Sequence, residues 1–297
     1  MRGTVGIVLL VTVLLTACGG PEERKAKYFA RATEYIDAAN YPKARVALRN
    51  VLKIDPKDAE AYYLFAQVEE KEKNWRNAVQ LYQEAVRLVP DHTAALITLG
   101  KYYLEARLTE HVVEAADMVL KKNPHHPQAS ALKIAAQAVT EEAIPSVIPT
   151  AEALAKEFPT EPDVAILLAT LYGQQQRHRE AESTLRRALD AYPRNLDLLN
   201  VLNRVLMRAN NLTGAEAVLR RMIETEPTSF DHRVRLARFY VEQGAKEKAE
   251  AVLREAIVLD STSEQRRLML AEYFVDKNDV ASAEQVLLDA TVQLPHS

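Results

Sequence analysis

Residues 162–193 read "PDVAILLATLYGQQQRHREAESTLRRALDAYP". Apolar residues recur at three- and four-residue spacing as far as Tyr172, give way to the polar run "GQQQRHRE", and resume from Ala181 to Leu189. That spacing puts the apolar side chains on one face of a helix, so the stretch predicts two amphipathic helices joined by a polar turn. Proline cannot continue a helix, so Pro193 closes the second one. Working outward, prolines stand at Pro56, Pro90, Pro124, Pro159, Pro193, Pro227 and Pro295, with Ser261 in the one vacant slot; the spacing is 34 residues except for a single 35. Twelve residues before each stand Ala44, Ala78, Val112, Val147, Ala181, Ala215, Ala249 and Ala283. Twenty-four before stand Ala32, Ala66, Gly100, Ala135, Ala169, Asn203, Ala237 and Ala271. Twenty-one before, large residues dominate (Tyr35, Tyr103, Tyr172, Leu206, Tyr240, Phe274), with Glu69 and Ala138 departing. Small residues let two helix axes approach closely, and a bulky neighbour fills the space beside them.

A two-helix unit with this period resembles the tetratricopeptide repeat. The resemblance covers residues 25–297 as eight repeats and implies an all-α fold, a right-handed superhelical solenoid of about eight helix-turn-helix units with almost no strand. Short helices cannot bury their faces alone, so units must stack on their neighbours. Repeat 4 is irregular: it holds the 35-residue spacing and carries Pro145 and Pro149. Its second helix is expected to start late, between Ile144 and Pro149, with a local change in curvature. At the far end, Val286, Leu287, Ala290 and Leu294 keep the apolar pattern of an interior unit. The solenoid is therefore expected to continue past residue 297, or to pair through that end.

The first residues follow a different logic. After Met1-Arg2-Gly3-Thr4 comes the apolar run "VGIVLLVTVLLTA", about a dozen apolar residues and short of the roughly 20 that a spanning helix needs. A positive start, an apolar middle and small residues at the end form a secretory signal peptide. Leu15-Thr16-Ala17-Cys18 resembles the bacterial lipobox, and Cys18 is the only cysteine in the chain. A buried core cysteine is at odds with the polar tether "GGPEERK" that follows. The resemblance implies a signal peptide at 1–17, covalent lipid on Cys18, a tether at 18–24 and the solenoid from 25. Several acyl chains hold a protein on a bilayer durably where one would not. Gly19 is not the aspartate that marks inner-membrane retention in enterobacterial lipoproteins, so the implied place is the outer membrane, facing the periplasm.

Without residues 1–17, which hold one charge, 37 Lys and Arg face 41 Asp and Glu, a net −4. That balance excludes the concentrated basic face that nucleic acid requires. No HExxH, no phosphate-cradling glycine loop and no GxSxG occurs. His125 and His126 in "NPHHP" have no spaced partner to complete a metal site and read as a solvated turn. Asn211-Leu212-Thr213 matches a glycosylation sequon, which has no standing in a bacterial lipoprotein. Trp75 and the tyrosines fall largely on packing columns and read as core. The chain is expected to be no enzyme and to use no small-molecule cofactor and no metal.

Function then falls to surface. In tetratricopeptide proteins the first helix of each unit forms the inner, concave face. Register places Phe29, Tyr63, Gln67, Ile97 and Lys101 there in the N-terminal half, and Asn200, Arg204, Arg208 and Arg238 in repeats 6 and 7. The first group is largely apolar and aromatic; the arginines make a basic patch, with Asp231 and Glu242 near in sequence. Some members clamp a C-terminal carboxylate with Lys and Asn one turn apart; Phe29 and Thr33 occupy those places, against that mode.

The stretch "YPKARVALRNVLKIDPKDAEAYYLFAQVEEKEKNWRNAVQLYQEAVRL" resembles the first repeats of long tetratricopeptide lipoproteins that accompany exopolysaccharide and PEP-CTERM protein-sorting loci. The resemblance implies an outer-membrane scaffold that binds envelope proteins of an export or assembly system. Two other readings stand beside it: a type IV pilus lipoprotein that assists secretin assembly, and a polysaccharide-binding accessory protein, which would call for more exposed aromatics than this sequence offers.

Overall fold

The computed structural model describes residues 20–276 and 279–293. Cys18, the signal-peptide segment, Leu294 and Pro295 lie outside the described residues. Within them the chain forms sixteen α-helices and no strand: α1 (Pro21–Asp37), α2 (Tyr41–Ile54), α3 (Ala59–Lys71), α4 (Trp75–Leu88), α5 (Thr93–Glu105), α6 (Thr109–Lys122), α7 (Pro127–Gln137), α8 (Ile144–Glu157), α9 (Pro162–Gln174), α10 (His178–Ala191), α11 (Leu196–Arg208), α12 (Leu212–Thr225), α13 (Phe230–Glu242), α14 (Lys246–Leu259), α15 (Glu264–Asp276) and α16 (Val280–Gln293). Odd numbers are the first helices of the repeats.

The period of the sequence is the period of the turns. Each of Pro56, Pro90, Pro124, Pro159, Pro193 and Pro227 lies two residues past the end of a second helix. A residue before proline avoids the helical region, and Asp55, Val89 and Asn123 have extended backbones. In six of the repeats the chain turns between the two helices through a left-handed residue: Ala39, Lys73, Arg107, Gln176, Asn210 and Gly244 all have φ between 52 and 70°. The next N–H then reaches back to the first helix, as in Asn74 N to Glu69 O (2.8 Å), Leu108 N to Tyr103 O (2.8 Å) and Ala245 N to Tyr240 O (2.9 Å). This is the Schellman closure, and its acceptors are the column of large residues. Asn40, Asp58, Asn195 and Asn211 cap following helices through their side chains.

Repeat 4 opens its second helix at Ile144, the early end of the expected range. Pro145 occupies a first-turn position, where a missing N–H costs nothing, while Pro149 is carried inside the helix.

The chain divides into two compact units, one reaching Ala136 and the other starting at Gln137. Unit one has no single centre. Ala32, Leu48 and Phe65 belong to a cluster spanning α1 to α3, Ala66, Tyr82 and Leu99 to one spanning α3 to α5, and Val112, Val119 and Leu132 to one spanning α5 to α7. Each interior first helix therefore serves two clusters. At Gly100 a Cβ would lie 2.7 Å from Leu132 Cδ1, so the small-residue column marks close approach of α5 and α7. In unit two, α8 packs on α9, α9 on α10 and α11, and so on by neighbours to α16.

Trp75 departs from expectation. It is 51% exposed, because as the first residue of α4 it precedes the apolar stripe that begins at Ala78.

Candidate protein-docking face

The sequence-assigned positions lie on first helices and divide between the units. In unit one, Phe29 is half-buried against the α1–α3 cluster. Tyr63, also half-buried, has its ring centroid 5.0 Å from that of His92 and 5.7 Å from that of Tyr82. Gln67 Nε2 donates to the Tyr63 hydroxyl at 3.0 Å. Burial, with Glu60 and Glu70 adding to it, holds that hydroxyl above the usual tyrosine range. Lys101 is exposed. Ile97 is not on the surface: it is 5% exposed and joins the cluster of Leu96, Val112, Ala129 and Leu132. The approach of α7 at Gly100 covers it, so Ile97 is core and leaves the docking set. What unit one offers is a Tyr63–Gln67 shelf with a lysine one repeat on.

In unit two, Asn200 accepts a hydrogen bond from Arg235 Nη1, which ties α11 to α13. One turn on, Arg204 is exposed, and Arg208 follows on the same face. Arg238 is exposed at the position 34 residues after Arg204. Among the described residues none of these three arginines has an ion pair or hydrogen bond. Some exposed arginines of second helices are taken, as Arg186 by Glu182, Arg220 by Glu216 and Arg254 by Glu250. Arg204, Arg208 and Arg238 stand open to an external anion.

Three features escaped the sequence reading. Glu69 is buried at 3% exposure, receiving Arg45 Nε at 2.6 Å and Asn74 Nδ2 at 3.0 Å. Arg233 and Arg267, 34 residues apart, are buried with their guanidiniums on backbone carbonyls of Pro227 and Ser261, which locks the inter-repeat turns. The signal was a column reading Tyr28, Tyr62, Leu96, Ala131, Ala165, Leu199 and then two arginines. Third, α13 and α15 leave a groove of about 310 Å³ lined by Val234, Arg238, Met269 and Tyr273 among others.

Among the described residues no group of three or more His, Cys, Asp or Glu is arranged to hold a metal, and no helix is long and apolar enough to cross a membrane. His125 and His126 sit at the turn before α7, where His126 Nδ1 accepts from Ala129 N at 3.4 Å.

Sequence models of the tetratricopeptide repeat match residues 29–93, 166–230 and 206–264. No curated protein matches the sequence. Among solved structures, a tetratricopeptide repeat protein from Parabacteroides merdae superposes with a TM-score of 0.51 and 13% identity, over 85% of this chain and 99% of that one. The Cut9–Hcn1 hetero-tetramer of the APC/C gives 0.51 and 16%, over 95% of this chain and 56% of that one. Pseudomonas aeruginosa pilF gives 0.47 and 18%, over 74% of this chain and 100% of that one. The likeness is one of fold. With the matched segments covering more than half of the 297 residues and the helices and turns keeping the same register, the chain belongs to the tetratricopeptide-repeat family.

Proposed function

We propose that this protein is a non-catalytic docking scaffold that binds envelope proteins of an export or assembly system, such as one handling exopolysaccharide or PEP-CTERM-sorted proteins. Lipid on Cys18 holds it at the periplasmic face of the outer membrane. The observation that carries the docking reading is the trio Arg204, Arg208 and Arg238, exposed and unpaired among the described residues on consecutive first helices. An exposed guanidinium contributes little to stability. It does present a planar fork of donors suited to carboxylates. The anchor reading rests on Leu15-Thr16-Ala17-Cys18 and the polar tether behind it.

Two variants test the docking reading. Arg204→Glu, Arg208→Glu and Arg238→Glu together should weaken capture of an acidic envelope partner at least tenfold in co-purification. The thermal melt should stay where it is. Capture unchanged both in that triple variant and in Tyr63→Ala would remove the first-helix face as the site. For the anchor, Cys18→Ala should release the protein into the soluble periplasm or leave an uncleaved precursor. If the variant still pellets with membranes at the original level after a high-salt wash, the anchor is something other than lipid on Cys18.

A further inference from the structure

We propose that the segment docked on unit two is bipolar, with an acidic end on Arg204 and Arg208 and an apolar residue next to Lys or Arg in the groove between α13 and α15. The inference rests on the docking reading above and specifies the partner's chemistry. The groove's floor is apolar: Ala237, Leu253 and Tyr273 are buried, and Val234 and Met269 are half-buried. Its rim is charged, with Arg238 and Glu242 from α13 and Glu272 and Asp276 from α15, all exposed. Three carboxylates thus face one guanidinium. Among the described residues none of the three has an ion pair or hydrogen bond. They do not converge as a metal site would; strung along the rim of an apolar trough, they suit a side chain with an apolar stem and a cationic head. Lys and Arg bury their methylenes along such a floor while the head reaches the rim, where bonds to carboxylates are charge-assisted.

The register of the repeats sets the order. The position of Arg204 becomes Arg238 and then Glu272 in the next two repeats, and that of Arg208 becomes Glu242 and then Asp276. Along unit two the first-helix face therefore runs from two positive charges, through a mixed pair, to two negative ones. Close-packed helices lie about 8–10 Å apart and α13 and α15 stand wider than that across the groove, so α11 and α15 are separated by about 20 Å. An extended segment advances about 3.3 Å per residue, so its acidic and basic ends stand about six residues apart.

The test uses fluorescein-labelled peptides on the mature full-length chain, read by anisotropy. One set carries two Asp about six residues from a Leu-Lys pair, in both chain directions; controls replace Lys by Glu or Asp by Lys. One bipolar peptide should bind at least tenfold tighter than either single-sign control. Glu272→Lys with Asp276→Lys should cut that binding at least fivefold and turn the preference toward the all-acidic control. Circular dichroism verifies that the fold is retained. If Arg204→Glu with Arg208→Glu abolishes binding while the groove variant changes nothing, docking on this face stands and the bipolar inference falls. If neither variant matters, or no bipolar peptide is preferred, the inference is overturned, and indifference to both variants removes docking on this face as well.

Discussion

At the residue scale, Glu69 shows how a repeat column can invert its chemistry. In repeat 7 the corresponding Tyr240 donates its hydroxyl to Glu216 of the preceding second helix at 2.7 Å. In repeat 2 the same two columns hold Glu69 and Arg45, so the acceptor sits on the first helix and the donor on the second. Arg45 also pairs with Glu72, and Asn74 and Asn77 supply further donors to Glu69. Burial pushes the Glu69 carboxyl up, but Arg45 with the two amides outweighs it, and the group titrates below its ordinary value of 4.5. Removing Glu69 takes the buried partner from Arg45, leaving it Glu72, and strips the Asn74 and Asn77 amides of their acceptor, which together costs about 3 kcal/mol. Glu69→Ala should lose about that much in urea denaturation. A depressed carboxyl contributes stability that is complete above its unfolded value and is lost as pH falls through the folded one. The gap between the parent and Glu69→Gln should thus be full near about pH 6 and shrink toward about pH 3. A gap that stays constant over that range would mean the carboxylate's charge is not what holds Arg45.

At the element scale the turn within each repeat is the telling part. Six turns share the left-handed residue, yet only Gly244 is a glycine. For an L residue that conformation costs about 1–2 kcal/mol. A Cβ on Gly244 would meet nothing within 4 Å, so Gly244→Ala isolates the backbone term. It should lower stability by about 1 kcal/mol. Arg107→Gly, at the equivalent turn of repeat 3, should raise it by less, since glycine's greater unfolded freedom offsets part of the gain. Equal signs in the two melts would refute the conformational account. These turns were not legible in the sequence, because the Schellman bonds form from backbone whatever side chain is present. The helices, their ends and the eightfold repetition were legible, because proline and close helix packing constrain residue type directly. Of the positions assigned to the proposed docking face, exposure was legible in part. Arg204 and Arg238 are exposed where register puts them, but Ile97 is covered by a helix whose approach depends on Gly100 and Leu132 together. A pairwise contact of that kind leaves no periodic mark.

At the scale of the whole molecule, stability is assembled locally. The principal packing joins helices one or two apart in order, as α1 with α2, α3 with α4, and α9 with α11. In unit one the core is a relay of clusters that share first helices. Stability in such a chain is close to a sum of repeat and neighbour-interface contributions, and parts open separately. A defect at the interface of repeats 1 and 2 should therefore stay near its origin. In Glu69→Ala, amides of α2 to α4 that exchange through opening of that interface should exchange on the order of 100-fold faster, the factor for about 3 kcal/mol. Amides of α11 to α14, many repeats on in the chain, should change by less than about twofold, because stability in a repeat chain is a sum of local contributions. Hydrogen–deuterium exchange of the mature chain resolved by peptide measures both regions in one experiment. Equal acceleration along the chain would show one global unfolding unit in place of local assembly, and α11 to α14 would then need support that neighbour packing does not provide.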